Sequence, residues 1–288
     1  MRNFEFFEPT TIEEASSLLA QHNGTAQLLA GGTDIIIGMK DRALTPECVI
    51  SLEKIPGLDG ITYSDNEGLR VGAMTKLREI EQSQVIIDQY TALAEGAGEV
   101  GSIQIRNLAT LGGNICNSSP AADAAAALLV LDAQVKIASA DGERTVSITD
   151  FFLGPGENVL QTGEIVTGFE FPPQPANSGS QYLKQKIREV MDLAFVGVAA
   201  SVQLDNGTVK DVKIGLAAVA PTPIRASNAE ATINGNALSD ELLNQAGTAA
   251  AAQSSPISDL RCSADYRREI VDVLTRRAVQ TAATRAQS

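Results

Sequence analysis

The sequence predicts an α+β fold built from two or three units, and three observations predict it. The first part of the chain interleaves helical periodicity with short apolar runs. Residues 172–180 are rich in proline, serine, asparagine and glycine, the composition of a linker. Beyond them, alternating apolar runs typical of an antiparallel sheet precede three helical stretches. A chain of 288 residues also exceeds the size at which a single core usually stops growing.

The first predicted unit, residues 1–56, resembles a βαβ arrangement. Residues 11–14 have the spacing of a capping box, and the helix that they open ends near Gly24. The apolar run 27–30 predicts a strand, and residues 48–52 predict the next one. The dipeptide Pro56-Gly57 then breaks the chain and ends the unit.

The second unit, residues 57–175, mixes hairpins with helices. Its predicted elements are a hairpin at 61–73, amphipathic helices between 77 and 94, an alanine-rich helix at 123–131, a hairpin at 134–148, a loop at 151–156 and a strand at 164–171. Residues 96–101 match the GxGxxG fingerprint of dinucleotide-binding folds. That fingerprint needs a strand before it, whereas a helical pattern precedes it here, so we reject this interpretation.

The third unit, residues 176–288, changes character. Strands are predicted at 182–187, 195–204 and 209–219, with Asp205-Asn206-Gly207 as a type I′ turn, and helices at 226–233, 239–252 and 264–283. In the last helix we expect Arg267, Arg268, Arg276 and Arg277 to form a solvated or interface edge.

Charge and composition exclude several function classes. The net charge of −13 disfavours nucleic acid as a partner. No apolar run approaches the roughly twenty residues of a membrane helix, and the acidic start lacks the features of a signal peptide, so we expect a cytoplasmic protein without membrane insertion. Three widely spaced cysteines make an iron–sulfur cluster on this chain improbable and suit a reducing compartment. A single histidine, His22, disfavours zinc and Ser-His-Asp chemistry.

Two glycine pairs, Gly31-Gly32 and Gly112-Gly113, are the strongest functional signal. In each, an apolar run gives way to small polar residues, which is the composition of a loop whose backbone N–H groups converge on an anion. Thr33 or Asp34 can cap a short helix after the first pair. Neither segment carries a lysine or arginine, so a bound diphosphate would rely on amide donors. Ordinary turns are the alternative interpretation of either pair alone.

Taken together, the segments around both pairs closely resemble the FAD-binding subunit of the molybdenum hydroxylases, the group that includes xanthine dehydrogenase, aerobic carbon monoxide dehydrogenase and nicotinate dehydrogenase. The resemblance runs from residues 4–9 through residues 28–35, 105–123 and 182–186 to residues 265–268. It implies a two-lobed α+β FAD-binding domain of the vanillyl-alcohol-oxidase type, with lobes at 1–56 and 57–175, and a C-terminal domain of antiparallel sheet and helices at 176–288.

The resemblance also assigns residues to FAD. Those expected around the diphosphate are Leu28, Leu29, Ala30, Gly31, Gly32, Thr33, Asp34 and Ile35, and those expected in a second wall are Thr110, Gly112, Gly113, Asn114 and Asn117. Asp123 would reach the adenosine end, Val166 would pack near the flavin or adenine, and Lys184 would contact the flavin region. Some family members have histidine in the first loop where this chain has Thr33, so a covalent flavin link there is impossible and FAD should bind non-covalently.

The function that the resemblance implies is electron relay without a catalytic side chain or metal on this chain. A large molybdopterin subunit would act on the substrate, a small subunit with [2Fe–2S] clusters would conduct electrons, and FAD would pass them to an external acceptor, in a dimer of heterotrimers. Two alternatives stay open. One is a self-contained flavin-dependent reductase or oxidase of similar fold, and the other is a non-enzymatic binding module.

Overall fold

The computed structural model describes residues 1–287 and arranges them as sheets flanked by helices. The helices are α1 (Ile12–Gln21), α2 (Ile35–Lys40), α3 (Leu77–Gln82), α4 (Gln84–Gln89), α5 (Thr91–Gly98), α6 (Ile103–Arg106), α7 (Leu111–Cys116), α8 (Asp123–Val130), α9 (Ser227–Ile233), α10 (Asp240–Gln253) and α11 (Ala264–Arg285). The strands are β1 (Glu5–Phe7), β2 (Ala26–Leu29), β3 (Cys48–Ser51), β4 (Ile61–Ser64), β5 (Gly68–Gly72), β6 (Gln134–Ser139), β7 (Gly142–Ser147), β8 (Phe152–Gly154), β9 (Glu157–Asn158), β10 (Ile165–Phe171), β11 (Ser178–Gln185), β12 (Val196–Asp205), β13 (Thr208–Ala217) and β14 (Ile224–Arg225). The α+β prediction is confirmed.

The N-terminal sheet is three-stranded, parallel and ordered β1-β3-β2, as the βαβ pattern predicts. Its central strand β3 is buried along its whole length, which matches a sequence that is apolar except for Ser51. Thr11 caps α1 as the spacing predicts, since its Oγ1 accepts a hydrogen bond from the Glu14 amide at 3.2 Å, while the Glu14 carboxylate accepts from the Thr10 amide at 2.9 Å. Strand β2 pairs with β3 at the edge of this sheet, and the first glycine pair follows directly after β2.

A second, five-stranded sheet has the order β4-β5-β10-β6-β7. Its two predicted hairpins form, and β10 joins them by pairing antiparallel with both β5 and β6. Strand β10 has a register shift between Val166 and Gly168, so the strand is irregular where Val166 lies. Residues 151–156 are not the plain loop that the sequence predicts, because β8 and β9 pair there as a small hairpin.

Helix α8 is buried on every side, which explains its alanine-rich sequence. All of its residues are buried, and it packs against α5 on one side and against β12 and β13 on the other. The approach to the C-terminal sheet is close: a Cβ at Gly215 would lie 2.6 Å from the Ala126 carbonyl oxygen. The small side chains of α8 thus let two units share one helix.

The C-terminal unit is an antiparallel sheet, β11-β12-β13-β14, covered by α9, α10 and α11. The turn between β12 and β13 is the predicted type I′, with φ of +49° at Asn206 and +81° at Gly207. Strand β11 begins at Ser178, so the last part of the predicted linker is already paired with β12. The predicted boundaries at residues 56 and 175 remain predictions.

One expectation for α11 is wrong. Arg268, Arg276 and Arg277 lie at or near the surface, but Arg267 is 2% exposed. Its partners are backbone carbonyls and a carboxylate within the same unit. Within residues 1–287, none of the helices has the length and hydropathy needed to cross a membrane.

Candidate cofactor-binding cleft

A cleft of about 1140 Å³ separates the parallel sheet from the second unit. It is lined by all of the predicted site residues except Leu29 and Lys184, namely Leu28, Ala30, Gly31, Gly32, Thr33, Asp34, Ile35, Thr110, Gly112, Gly113, Asn114, Asn117, Asp123 and Val166. Residues more than eighty positions apart in the sequence therefore face one space. Its volume suits a cofactor larger than a mononucleotide.

The first wall, residues 30–35, joins β2 to α2 and carries unused hydrogen-bond donors. Within the described part of the chain, none of the amide groups of Gly31, Gly32, Thr33, Asp34 and Ile35 donates to a protein acceptor. The predicted capping bond also does not form, because Asp34 occupies the N-cap position of α2 and its carboxylate accepts from none of the helix amides. Consecutive free amides at a helix start are a ready site for phosphate oxygens.

The glycine pair of the first wall is required by geometry. Gly32 has a φ of +75°, a left-handed conformation that glycine adopts at little cost. A Cβ at Gly31 would lie 2.1 Å from the Leu108 carbonyl oxygen, which belongs to the backbone. Gly31 thus lets the first wall touch the segment that leads into the second.

The second wall is the first turn of α7, which corrects the prediction of a loop around Gly112-Gly113. Thr110 is the N-cap, and its Oγ1 accepts a hydrogen bond from the Gly113 amide at 3.0 Å. The Leu111 amide donates to the Thr75 carbonyl at 3.1 Å, and the Gly112 amide donates to the Ala73 carbonyl at 2.8 Å. The donors of this turn are therefore used by the protein itself, unlike those of the first wall.

What the second wall offers to a ligand is shape, a helix dipole and one amide side chain. A Cβ at Gly113 would lie 3.7 Å from the Ala30 Cβ, so the two walls face each other closely at that point. The Oδ1 atom of Asn114 is buried and has no hydrogen-bond partner among the described residues. An orphaned acceptor of this kind costs free energy unless a ligand or water donates to it. Asn117 is exposed at the C-cap of the same helix.

Asp123 lies at the first position of α8, buried at the end of the cleft. Its Oδ1 accepts a hydrogen bond from the Tyr182 hydroxyl at 2.7 Å, and its Oδ2 accepts one from Lys184 Nζ at 2.8 Å. Burial raises the pKa of Asp123 to about 6, and the Lys184 ammonium limits the rise. The ammonium of Lys184 also donates to the Glu99 carbonyl at 2.9 Å, and its side chain is 1% exposed.

Basic side chains are absent from the described lining, whereas Asp34, Asp123, Glu164 and Asp192 contribute acidic groups. The expectation that a diphosphate here would depend on amides is consistent with this composition. The thiol of Cys116 also lines the cleft, and burial raises its pKa to about 12, which keeps it protonated and unreactive near neutral pH.

A family model described as the FAD binding domain in molybdopterin dehydrogenase matches residues 2–174, and one described as the CO dehydrogenase flavoprotein C-terminal domain matches residues 181–282. The chain belongs to this flavoprotein family. It is therefore an FAD-binding subunit of a molybdenum-dependent oxidoreductase, and the interpretation as a non-enzymatic binding module is not supported.

Individual relatives agree in length and shape. The xanthine dehydrogenase FAD-binding subunit of Escherichia coli O157:H7 is 34% identical over 282 residues, covering 98% of this chain and 96% of that protein. The carbon monoxide dehydrogenase medium chain of Hydrogenophaga pseudoflava is 33% identical over 279 residues, covering 97% of this chain and 96% of that protein. A solved structure of carbon monoxide dehydrogenase from the same organism, lacking the Mo-pyranopterin moiety, matches with a TM-score of 0.95 at 34% identity, covering 99% of this chain and 98% of that chain.

The flavoprotein subunit also lines its cleft with residues that the sequence did not single out. Residues 160–164, between β9 and β10, form one side, and residues 191–193, between β11 and β12, form part of the rim. Tyr182, a partner of Asp123, was likewise not assigned to the site. The left-handed Gly163 is the one local signal in the first segment. The others become visible only when the chain is folded.

Proposed function

We propose that FAD binds non-covalently in the cleft, with its diphosphate on the free amides of residues 31–35. The observation that carries this proposal is the run of five consecutive amides without protein acceptors, facing the preformed turn of α7. Phosphate oxygens would accept from these amides at the N-terminus of α2, and no lysine or arginine would be needed. The buried Oδ1 of Asn114 would accept a hydrogen bond from a ligand hydroxyl or amide group.

The other predicted contacts divide into two kinds. Asp123 and Val166 line the cleft, so we expect Asp123 to accept a hydrogen bond from a hydroxyl of the adenosine end and Val166 to offer an apolar surface. For Lys184 we propose a role in place of the contact with the flavin region that the resemblance implies. Its ammonium is bound to Asp123 and Glu99, so we assign it to holding the Asp123 carboxylate charged and fixed in orientation rather than to contacting the flavin.

At the level of the whole enzyme, we propose that this chain is the electron-transfer subunit of a cytoplasmic dimer of heterotrimers. A small subunit with [2Fe–2S] clusters would supply electrons that a large molybdopterin subunit takes from the substrate, and an external acceptor would receive them. The resemblance in sequence and the relatives named as medium chains support this arrangement. Flavin supplies the chemistry of this position, since it accepts electrons singly and releases them in pairs.

In this mechanism the side chains of the subunit bind and orient rather than react. The amides of the first wall fix the diphosphate, the apolar lining excludes water, and Asp123 fixes the adenosine end. A self-contained reductase would need substrate-binding cations and a proton donor in the cleft, and the described lining supplies acidic groups instead. This composition favours relay over direct action on an anionic substrate.

The experiment that tests the relay uses the complex purified with its partner subunits, in wild-type form and with Gly113→Leu in this chain. Both complexes are reduced anaerobically with dithionite, and their reoxidation by NAD, a quinone and oxygen is followed by absorbance. We expect the variant to retain reducible iron–sulfur clusters, to lack flavin, and to lose rapid reoxidation. Equally rapid reoxidation of the flavin-free complex would refute the relay.

A further inference from the structure

Arg267 is a buried cation that the cofactor cleft does not use directly. It lies in the first turn of α11, outside the cleft lining, and its side chain is 3% exposed. Its Nη1 donates to the Phe195 carbonyl at 2.9 Å and to the Ala218 carbonyl at 3.0 Å, and its Nη2 lies 2.9 Å from Asp259 Oδ2. A charge buried this deeply is stable only when its partners are fixed, so Arg267 ties these backbone segments together.

The segment at the end of β13, which Arg267 binds through Ala218, contains a strained residue. Ala218 follows β13 with a φ of +65°, a conformation that non-glycine residues adopt only where the surroundings enforce it. Its carbonyl is held by Arg267, and its amide donates to the Pro120 carbonyl at 2.6 Å. The strain at Ala218 is thus maintained between α11 on one side and the cofactor-binding unit on the other.

Pro120 belongs to the connection between α7 and α8, residues 117–122, which forms part of the cleft. Asn117, Ser119 and the two alanines before Asp123 line the cleft from this connection. Its other side is held within the cofactor-binding unit, because the Gly156 amide donates to the Ser118 carbonyl at 3.0 Å. The bond from Ala218 therefore fixes the side of the connection that faces the C-terminal unit, immediately before Asp123.

The other carbonyl that Arg267 binds, that of Phe195, belongs to a loop that reaches the rim of the same cleft. Phe195 closes the loop between β11 and β12, since its amide donates to the Gln185 carbonyl at 3.1 Å. Residues 191–193 of that loop line the cleft. One guanidinium group is thus bonded to two C-terminal segments near the cofactor space, one that leads to the rim and one behind the Asp123 end.

We propose that Arg267 is a positioning residue for FAD, which sets the 117–122 connection and the 191–193 rim through Ala218 and Phe195 without touching the cofactor. The proposal rests on the placement of FAD in the cleft. Under this proposal the C-terminal unit contributes to the cofactor site, since the guanidinium fixes the position of the 117–122 connection next to Asp123. A purely structural arginine would affect the stability of its own unit and leave FAD affinity unchanged.

The test compares two arginines of α11 in the full-length apoprotein. Arg267→Lys keeps the charge but loses the planar guanidinium fork that reaches two carbonyls and a carboxylate. Arg276→Met is the matched control, because Arg276 binds Asp272 at 2.8 Å and Asn244 at 2.9 Å, both within the C-terminal unit. FAD is titrated by fluorescence quenching, and unfolding in urea is measured on the same samples. We expect the FAD Kd to rise at least about tenfold for Arg267→Lys and to stay within about twofold for Arg276→Met.

A second variant ties the effect to the strained residue. Ala218→Gly removes the conformational cost of φ +65°, so adding it to Arg267→Lys should restore part of the lost affinity. Asp259→Asn leaves Arg267 in place without its carboxylate and should weaken FAD binding about threefold. Wild-type FAD affinity in both Arg267→Lys and Asp259→Asn, or an equal loss in Arg276→Met, would overturn the proposal. A Gly113→Leu variant that still binds FAD would instead refute the placement of FAD in the cleft.

Discussion

Each wall of the cleft contains a Gly-Gly pair, and the backbone amides around the two pairs have opposite roles. In the first wall, the backbone around Gly31-Gly32 leaves its amides without protein partners and open to a ligand. In the second wall, Gly112-Gly113 lies inside a helix whose first amides are bonded to Thr75, Ala73 and Thr110. The first wall is a set of donors that the cofactor completes, and the second is a preformed surface. A glycine pair in a sequence therefore does not by itself identify an anion site.

The largest effect on FAD binding is expected from a side chain that fills the space between the two walls. Gly113→Leu adds a side chain whose Cβ would lie 3.0 Å from Thr110 Oγ1 and 3.7 Å from the Ala30 Cβ, so it enters the narrow gap between the walls. We expect FAD retention to be lost while the apoprotein stays folded, with a urea midpoint lowered by the tight contact with Thr110 Oγ1. The absorption spectrum of the purified chain measures the first and circular dichroism the second. Full flavin occupancy would contradict the proposed site.

Gly31→Ala should separate the walls rather than fill the gap. Its Cβ would lie 2.1 Å from the Leu108 carbonyl oxygen, so the backbone of one wall must move. We expect a large rise in FAD Kd together with a lower free energy of unfolding, both measured on the apoprotein. Gly98→Ala is the control, since a Cβ there would lie no closer than 3.4 Å to the Glu81 side chain and Gly98 does not line the cleft. Normal FAD affinity in Gly31→Ala would show that the walls need not touch.

Substitutions of two threonines test whether the amides of the second wall are bonded within the protein while those of the first wall are not. Thr110→Val removes the acceptor of the Gly113 amide and should lower the stability of the apoprotein by about 1 kcal/mol. Thr33→Val keeps its free amide and removes no helix-capping bond, so it should leave apoprotein stability nearly unchanged. Urea unfolding of both variants checks the contrast. Equal destabilisation would mean that the first wall is as internally bonded as the second.

The smallest predicted effect concerns the buried carboxylate of Asp123 at the end of the cleft. Burial raises the pKa of Asp123 from 3.8 to about 6, so the folded chain binds this proton more tightly than the unfolded chain. The contribution of Asp123 to the free energy of unfolding should therefore fall as the pH rises from about 4 to about 6 and stay level above. Asp123→Asn removes this contribution. The difference between the unfolding curves of wild type and variant, measured from pH 4 to pH 7, should show it, and a constant difference would contradict it.

Much of the fold was predictable because it follows from local chemistry. The Thr11 helix cap, the type I′ turn at Asn206-Gly207 and the alternating strands of the C-terminal sheet each carry their signal within a few residues. The resemblance across both glycine segments similarly brought together residues that line one cleft, although it gave no contacts between them.

The remaining features depend on partners far away in the chain. The sequence indicates a loop at the start of α7 because glycine has low helix propensity, and the carbonyls that accept from the first amides of this helix lie near residue 75. The bond from Lys184 to Asp123 could not be predicted, because nothing in the sequence around either residue indicates that they meet. Helical periodicity puts Arg267 on a solvated or interface edge, because it does not show which carbonyls a long side chain reaches.

Hydrogen exchange at the amides of the two walls tests their division of roles most directly. Exchange of the full-length protein is followed residue by residue, without FAD and with saturating FAD. Amides 31–35 should exchange rapidly in the apoprotein and become protected with FAD, whereas amides 111–114 should be protected in both states. Unchanged exchange at residues 31–35, or protection gained only at residues 111–114, would contradict the placement of the diphosphate on the first wall.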